Sequence, residues 1–106
     1  MIAMNHNTFL NLTTNNDKPV LVDFWAPWCV YCRRIAPALK QVAEEYRDAL
    51  VVGQVNIDEE PVLAQQEQIE VIPTLVLYHK GKALGSIVAP ESAAAIKAFI
   101  QETLEK

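Results

Sequence analysis

Pro19-Val20-Leu21-Val22-Asp23-Phe24-Trp25-Ala26-Pro27-Trp28-Cys29-Val30-Tyr31-Cys32 reads, from left to right, as a buried strand, a turn and the start of a helix. Pro19 to Ala26 is almost continuously apolar and β-rich, which suits a central strand covered on both faces. A single carboxylate, Asp23, interrupts it. From Cys29 to about Tyr46 the period changes. Ile35, Leu39, Val42, Ala43 and Tyr46 form one apolar stripe of a helix. Pro37 lies inside that helix, removes a backbone donor and is expected to kink it.

Working outward, Leu50 to Ile57 reads as a second buried strand. With the helix before it, this makes a βαβ unit, hence a parallel pair with a right-handed crossover. Pro61 suits the first turn of a short helix ending near Gln68. Thr74–Tyr78 and Ala83–Val88 are predicted strands of a hairpin around His79-Lys80-Gly81-Lys82. Ser92 can cap a last helix whose inner face is Ile96, Phe99, Ile100 and Leu104. At the N-terminus the pattern predicts a short strand at Met1–Met4 and a helix around Thr8–Thr14. The fold class is α/β. A central mixed sheet of four to five strands, parallel in its first half and closing in an antiparallel hairpin, carries helices on both faces.

The 106 residues are the length of a single domain, 1–106. About half are apolar and a fifth charged, enough to build a core without a metal cluster or a disulfide framework. A net charge of −4 and one basic doublet, Arg33-Arg34, leave no nucleic-acid footprint. No apolar run approaches the ~20 residues that span a bilayer. The first residues lack the charged start and apolar stretch of a signal peptide. The chain is therefore expected to be cytoplasmic, with no nucleic-acid or membrane partner.

Both cysteines fall in one Cys-x-x-Cys pair at the strand-to-helix junction. In open α/β sheets, chemistry gathers beyond the carboxyl ends of the strands. A sulfur at a helix start meets free amide N–H groups and the positive end of the helix dipole, both of which favour a thiolate. Cys32, one turn later, is close enough to form a disulfide after modest adjustment. Cys29 is then the exposed sulfur that attacks a partner disulfide, and Cys32, tucked beneath, resolves the mixed disulfide. A zinc site would need four ligands, and only the distant His6 and His79 remain; a cluster shared between two chains is a further possibility. The pair could also be inert core, but a Cys-x-x-Cys opening the helix of a βαβ unit is itself a redox signal.

At this point the sequence resembles the thioredoxin family. The matching features are the strand ending Val22-Asp23-Phe24-Trp25-Ala26, then Trp28-Cys29-x-x-Cys32, the helix with Ile35-Ala36-Pro37, Asn56-Ile57-Asp58, and Ile72-Pro73-Thr74 before the hairpin. Together they span essentially the whole chain. The resemblance implies the thioredoxin fold and assigns roles. Cys29 would be the nucleophile, Cys32 the resolving thiol, and the two a redox-active disulfide. Asp23 matches a buried carboxylate that passes protons to and from the second thiol; desolvation of a carboxyl inside an apolar strand raises its pKa in keeping with that role. Pro73 matches a cis-proline facing the active site, which leaves the backbone of Ile72 free to pair with an extended substrate segment. Trp28 would form part of the partner-contact surface, and Trp25 packs near the site.

Departures from the family pattern bear on function. Val30 and Tyr31 replace the usual Gly-Pro and bear on redox poise; a Tyr before the second cysteine looks more like glutaredoxin, although the rest of the chain does not. A family lysine beside the buried carboxylate falls at Gln54, and a family glycine in the substrate groove falls near Ala89. The expected function is reduction of protein disulfides by dithiol–disulfide exchange. Disulfide-bearing proteins would be the substrates, and an upstream thioredoxin-reductase-like donor, linked to flavin or ferredoxin, the source of electrons. No bound cofactor is required, since the two thiols carry the electrons. The chain is expected to act as a monomer. The alternatives are a disulfide isomerase or oxidase of the same fold, or a non-catalytic binding module.

Overall fold

The computed structural model describes residues 1–106. Its elements run β1 (Ile2–Ala3), α1 (His6–Asn15), β2 (Val20–Trp25), α2 (Val30–Glu45), β3 (Val51–Asn56), α3 (Pro61–Gln66), β4 (Thr74–His79), β5 (Lys82–Val88) and α4 (Ala93–Leu104). This is the order expected from the sequence. The strands form one five-stranded sheet in the order β1-β3-β2-β4-β5. β1, β3 and β2 are parallel, and β4 and β5 join antiparallel.

Side chains alternate across the sheet, so β2 feeds two cores at once. Leu21 packs with Ile35, Leu39 and Val42 of α2, with Leu75 and Leu77 of β4, and with Ile96 and Ile100 of α4. Val20, Val22 and Phe24 pack on the opposite face with Phe9 of α1, Val55, Leu63 of α3, Val76 and Tyr78. Phe9 meets Phe24 and Tyr78 edge-on, the arrangement aromatic quadrupoles prefer.

The element ends follow from local chemistry. Asn5 and Ser92 cap α1 and α4, accepting from the N–H groups of Thr8 and Ala95 at 2.8 and 3.1 Å. Pro61 opens α3 at a position whose N–H would be unpaired anyway. Lys80 and Gly81 both have positive φ, 54° and 82°, so the hairpin turns over two residues as a primed turn does. α2 runs unbroken through Pro37, which sits on its exposed face. One inner-face expectation is corrected: Leu104 is exposed and Thr103 is buried. Both lie near the stripe through Ile96 and Ile100. Thr103 lies over Gly85 of β5, where a Cβ would come within 3.3 Å of its Cγ2.

Candidate active site

The site stands at the carboxyl end of β2. The Cys29 N–H donates to the Ala26 carbonyl at 3.1 Å, closing the turn that carries the chain from strand to helix. Cys29 is the N-cap of α2, and its Sγ accepts from the Cys32 N–H at 3.1 Å. A sulfur thus occupies the position that a serine or aspartate oxygen usually fills. Cys29 and Cys32 are joined as a disulfide, with Cα atoms 5.2 Å apart. An amide N–H already aimed at Sγ, together with the helix dipole, favours negative charge there when the bridge opens.

The expected exposure of Cys29 needs correction. In the disulfide form Cys29 is 8 % exposed and Cys32 4 %, so both are buried. Ring closure draws the sulfurs together over Ala26, with Trp25, Tyr31, Ile57 and Ile72 packed around them. Exposure at this corner belongs to the neighbours Trp28 and Val30, at 64 % and 60 %.

Asp23 lies on β2 between Leu21, which faces α2, and Trp25, which packs against the disulfide cluster. Alternation places its side chain on the same face, and it is buried. Gln54, its register partner on β3, donates Nε2–H to Asp23 Oδ2 at 3.3 Å, while Oδ1 has no partner. Burial raises the carboxyl from 3.8 to about 6, against the smaller lowering effect of the Gln54 hydrogen bond. Gln54 also lines an open cleft of about 380 Å³ with Trp25, Asn56 and Glu60. Solvent therefore reaches the amide that holds the carboxylate.

Across the surface, the Ile72–Pro73 peptide is cis. Pro73 is buried and Ile72 half-buried, and Ile72 packs against the disulfide cluster. Neither backbone polar group of Ile72 takes part in an intramolecular hydrogen bond. The Pro73 carbonyl instead accepts from Ala89 N–H at 2.9 Å. Ala89 has φ 45°, a left-handed conformation that costs a residue with a Cβ about 1–2 kcal/mol. Glycine at this position removes that cost but has more freedom to lose on folding. Ala89→Gly is accordingly expected to stabilise the protein by about 0.5–1 kcal/mol, read as a higher urea midpoint at unchanged slope.

Three hydrogen bonds were not legible in the sequence. Trp28 Nε1–H donates to Asp58 Oδ2 at 2.9 Å, and the Asn56 side chain accepts from the Asp58 N–H at 2.9 Å. The Asn-Ile-Asp segment therefore orients an exposed indole, for which the only sequence signal was its place in the family pattern. The Tyr31 hydroxyl donates to the Pro90 carbonyl at 3.0 Å, across 59 residues of chain that no local pattern spans.

The family model described as Thioredoxin matches residues 1–102. The chain belongs to the thioredoxin family. "Thioredoxin M-type, chloroplastic" of Chlamydomonas reinhardtii is 43% identical over 104 residues, covering 98% of this chain and 71% of the relative. "Thioredoxin" of Acidithiobacillus ferridurans is 41% identical over 104 residues, covering 98% of this chain and 96% of the relative. "Bifunctional thioredoxin reductase/thioredoxin" of Mycobacterium leprae is 37% identical over 95 residues, 90% of this chain and 21% of that longer protein. The fold is the thioredoxin fold. With the Cys29–Cys32 disulfide, membership makes the chain a protein-disulfide reductase that works by dithiol–disulfide exchange.

Proposed function

We propose that the reduced Cys29 thiolate attacks a disulfide in a partner protein and that Cys32 completes the exchange. In the first step a bond forms between Cys29 Sγ and one partner sulfur, and the other partner sulfur leaves as a thiolate and takes up a proton. In the second, Cys32 loses its proton to the Asp23 carboxylate and attacks Cys29 Sγ, releasing the second partner sulfur. Two electrons pass to the partner, and the Cys29–Cys32 disulfide remains. Asp23 suits proton acceptance because burial has brought its affinity for protons closer to that of a thiol. The observation that carries this reading is the Cys29 sulfur at the N-cap of α2, accepting the Cys32 N–H.

Trp28, Ile72 and Pro73 receive the partner chain in this reading. The exposed indole and the unpaired backbone of Ile72 support it, since an extended segment adds to free backbone groups as a strand. An upstream thioredoxin-reductase-like enzyme returns the electrons, in keeping with the paired activities named for the Mycobacterium leprae relative. Residues 1–106 act as one thioredoxin domain, monomeric and cytoplasmic.

The reduction potential tests the direction of flow. The protein is equilibrated in graded redox buffers, and the Cys29–Cys32 pair is followed by thiol labelling. The expected value is more reducing than the glutathione pool. A markedly more oxidising value would assign the chain to disulfide formation or isomerisation, with Val30 and Tyr31 as the cause.

A further inference from the structure

Three backbone segments meet beside the disulfide: the start of α2, the loop leaving β5 and the loop entering β4. Two hydrogen bonds join them in series. Tyr31 Oη–H donates to the Pro90 carbonyl at 3.0 Å. One residue earlier, Ala89 N–H donates to the Pro73 carbonyl at 2.9 Å. Pro90 and Pro73 are both buried. The Tyr31 ring packs against both the disulfide cluster and the main core, so its hydroxyl is held on a fixed arm. Ala89 has the left-handed backbone that glycine prefers, so the loop is kept in a conformation its own sequence disfavours. An external tether helps to hold it there.

We propose that Tyr31 is a positioning residue for protein substrates, acting through the Ala89–Pro90 loop. Its phenol ties that loop to the residues between the cysteines and thereby fixes the loop that stands as a wall beside the Ile72–Pro73 segment. Tyr31 packs against the disulfide cluster, but in this role its hydroxyl takes no part in the exchange of sulfurs. A protein substrate laid along Ile72 depends on the wall, whereas a small disulfide needs only the Cys29 sulfur. The inference rests on the proposed exchange through Cys29 and the proposed docking at Ile72.

Tyr31→Phe keeps the ring and removes the hydrogen bond. Its steady-state kinetics are measured with insulin and with hydroxyethyl disulfide, at fixed reductant. The expected result is a KM for insulin raised about threefold to tenfold relative to any change seen with hydroxyethyl disulfide, the effect of one lost hydrogen bond, with kcat for insulin held. Amide hydrogen exchange at Ala89 is expected to quicken in the same variant, and this readout is available on the folded protein whatever the kinetics show. An insulin KM within about twofold of the parent, an equal loss on both substrates, or an unchanged Ala89 exchange rate would each overturn the proposal. If the parent chain itself reduces neither substrate, the exchange reading fails first and the inference falls with it.

Discussion

Cys29→Ser is expected to lower disulfide-reducing turnover by about 10³-fold or more, on the scale of deleting a covalent nucleophile. Cys32→Ser is expected to stop at the other half of the reaction. Its Cys29 can still attack, but no second sulfur is present to release the partner, so a mixed disulfide accumulates. Both variants keep a side chain of similar size at two buried positions. In Cys29→Ser the introduced hydroxyl can still accept the Cys32 N–H, as serine does at other N-caps, so loss of the fold does not account for loss of turnover. Non-reducing electrophoresis and intact mass measure the adduct after mixing with a disulfide-bearing protein. If Cys32→Ser forms no adduct while Cys29→Ser does, the two roles are reversed.

The second large effect concerns Asp23 and is read in stability. Its carboxyl is raised from 3.8 to about 6 because burial penalises the charged form. The native state therefore binds the proton more tightly than the unfolded chain, and stability falls as pH rises through the window between those values. Below pH 3.8 the group is protonated in both states and contributes no difference. Above pH 6 it is ionised in both, and the full cost of about 3 kcal/mol is present. Asp23→Asn removes the charge while keeping the shape. Denaturant unfolding of the disulfide form at pH 7 is expected to show the variant more stable by about 2–3 kcal/mol. The gain should shrink towards zero near pH 4. A pH-independent difference between the two proteins would show that packing, not ionisation, separates them. In turnover, the resolving step of Asp23→Asn is expected to lose its inflection near pH 6.

Much of this architecture was legible because its signals are local. The apolar run of β2, the stripe of α2 and the Ser92 cap each announce an element within a few residues, and each stands where it was expected. Lys80-Gly81 marks its turn for the same reason: both residues adopt positive φ. Asp23 and the Cys-x-x-Cys pair stood out from the residues themselves, and the family pattern added the role of Asp23 and the Ile72-Pro73 segment. What local signals missed are quantities set by distant chain. Hydrophobicity alone selects Leu104 for the inner face, but the missing side chain at Gly85 makes room for Thr103. Helix-start geometry exposes Cys29 in the dithiol reading, yet the closed ring and its neighbours bury it. The hydrogen bond from Tyr31 to Pro90 links segments 59 residues apart, and its only trace in the sequence was an unusual residue between the cysteines.

The strand order has a consequence for the chain as it is made. β2 lies between β3 and β4, and Val20 pairs with Tyr78 near the far end of β4. A nascent chain halted before Thr74 would carry both cysteines and the whole of α2, but β2 would still have an open edge. The apolar faces of Leu21 and Phe24 would lack Leu75 and Val76 to cover them. The thiols thus emerge from the ribosome before the sheet beneath them can close. During that interval β2 is held by β3 alone, and the strand that leads to the cysteines is pinned on its second edge only with the arrival of the hairpin.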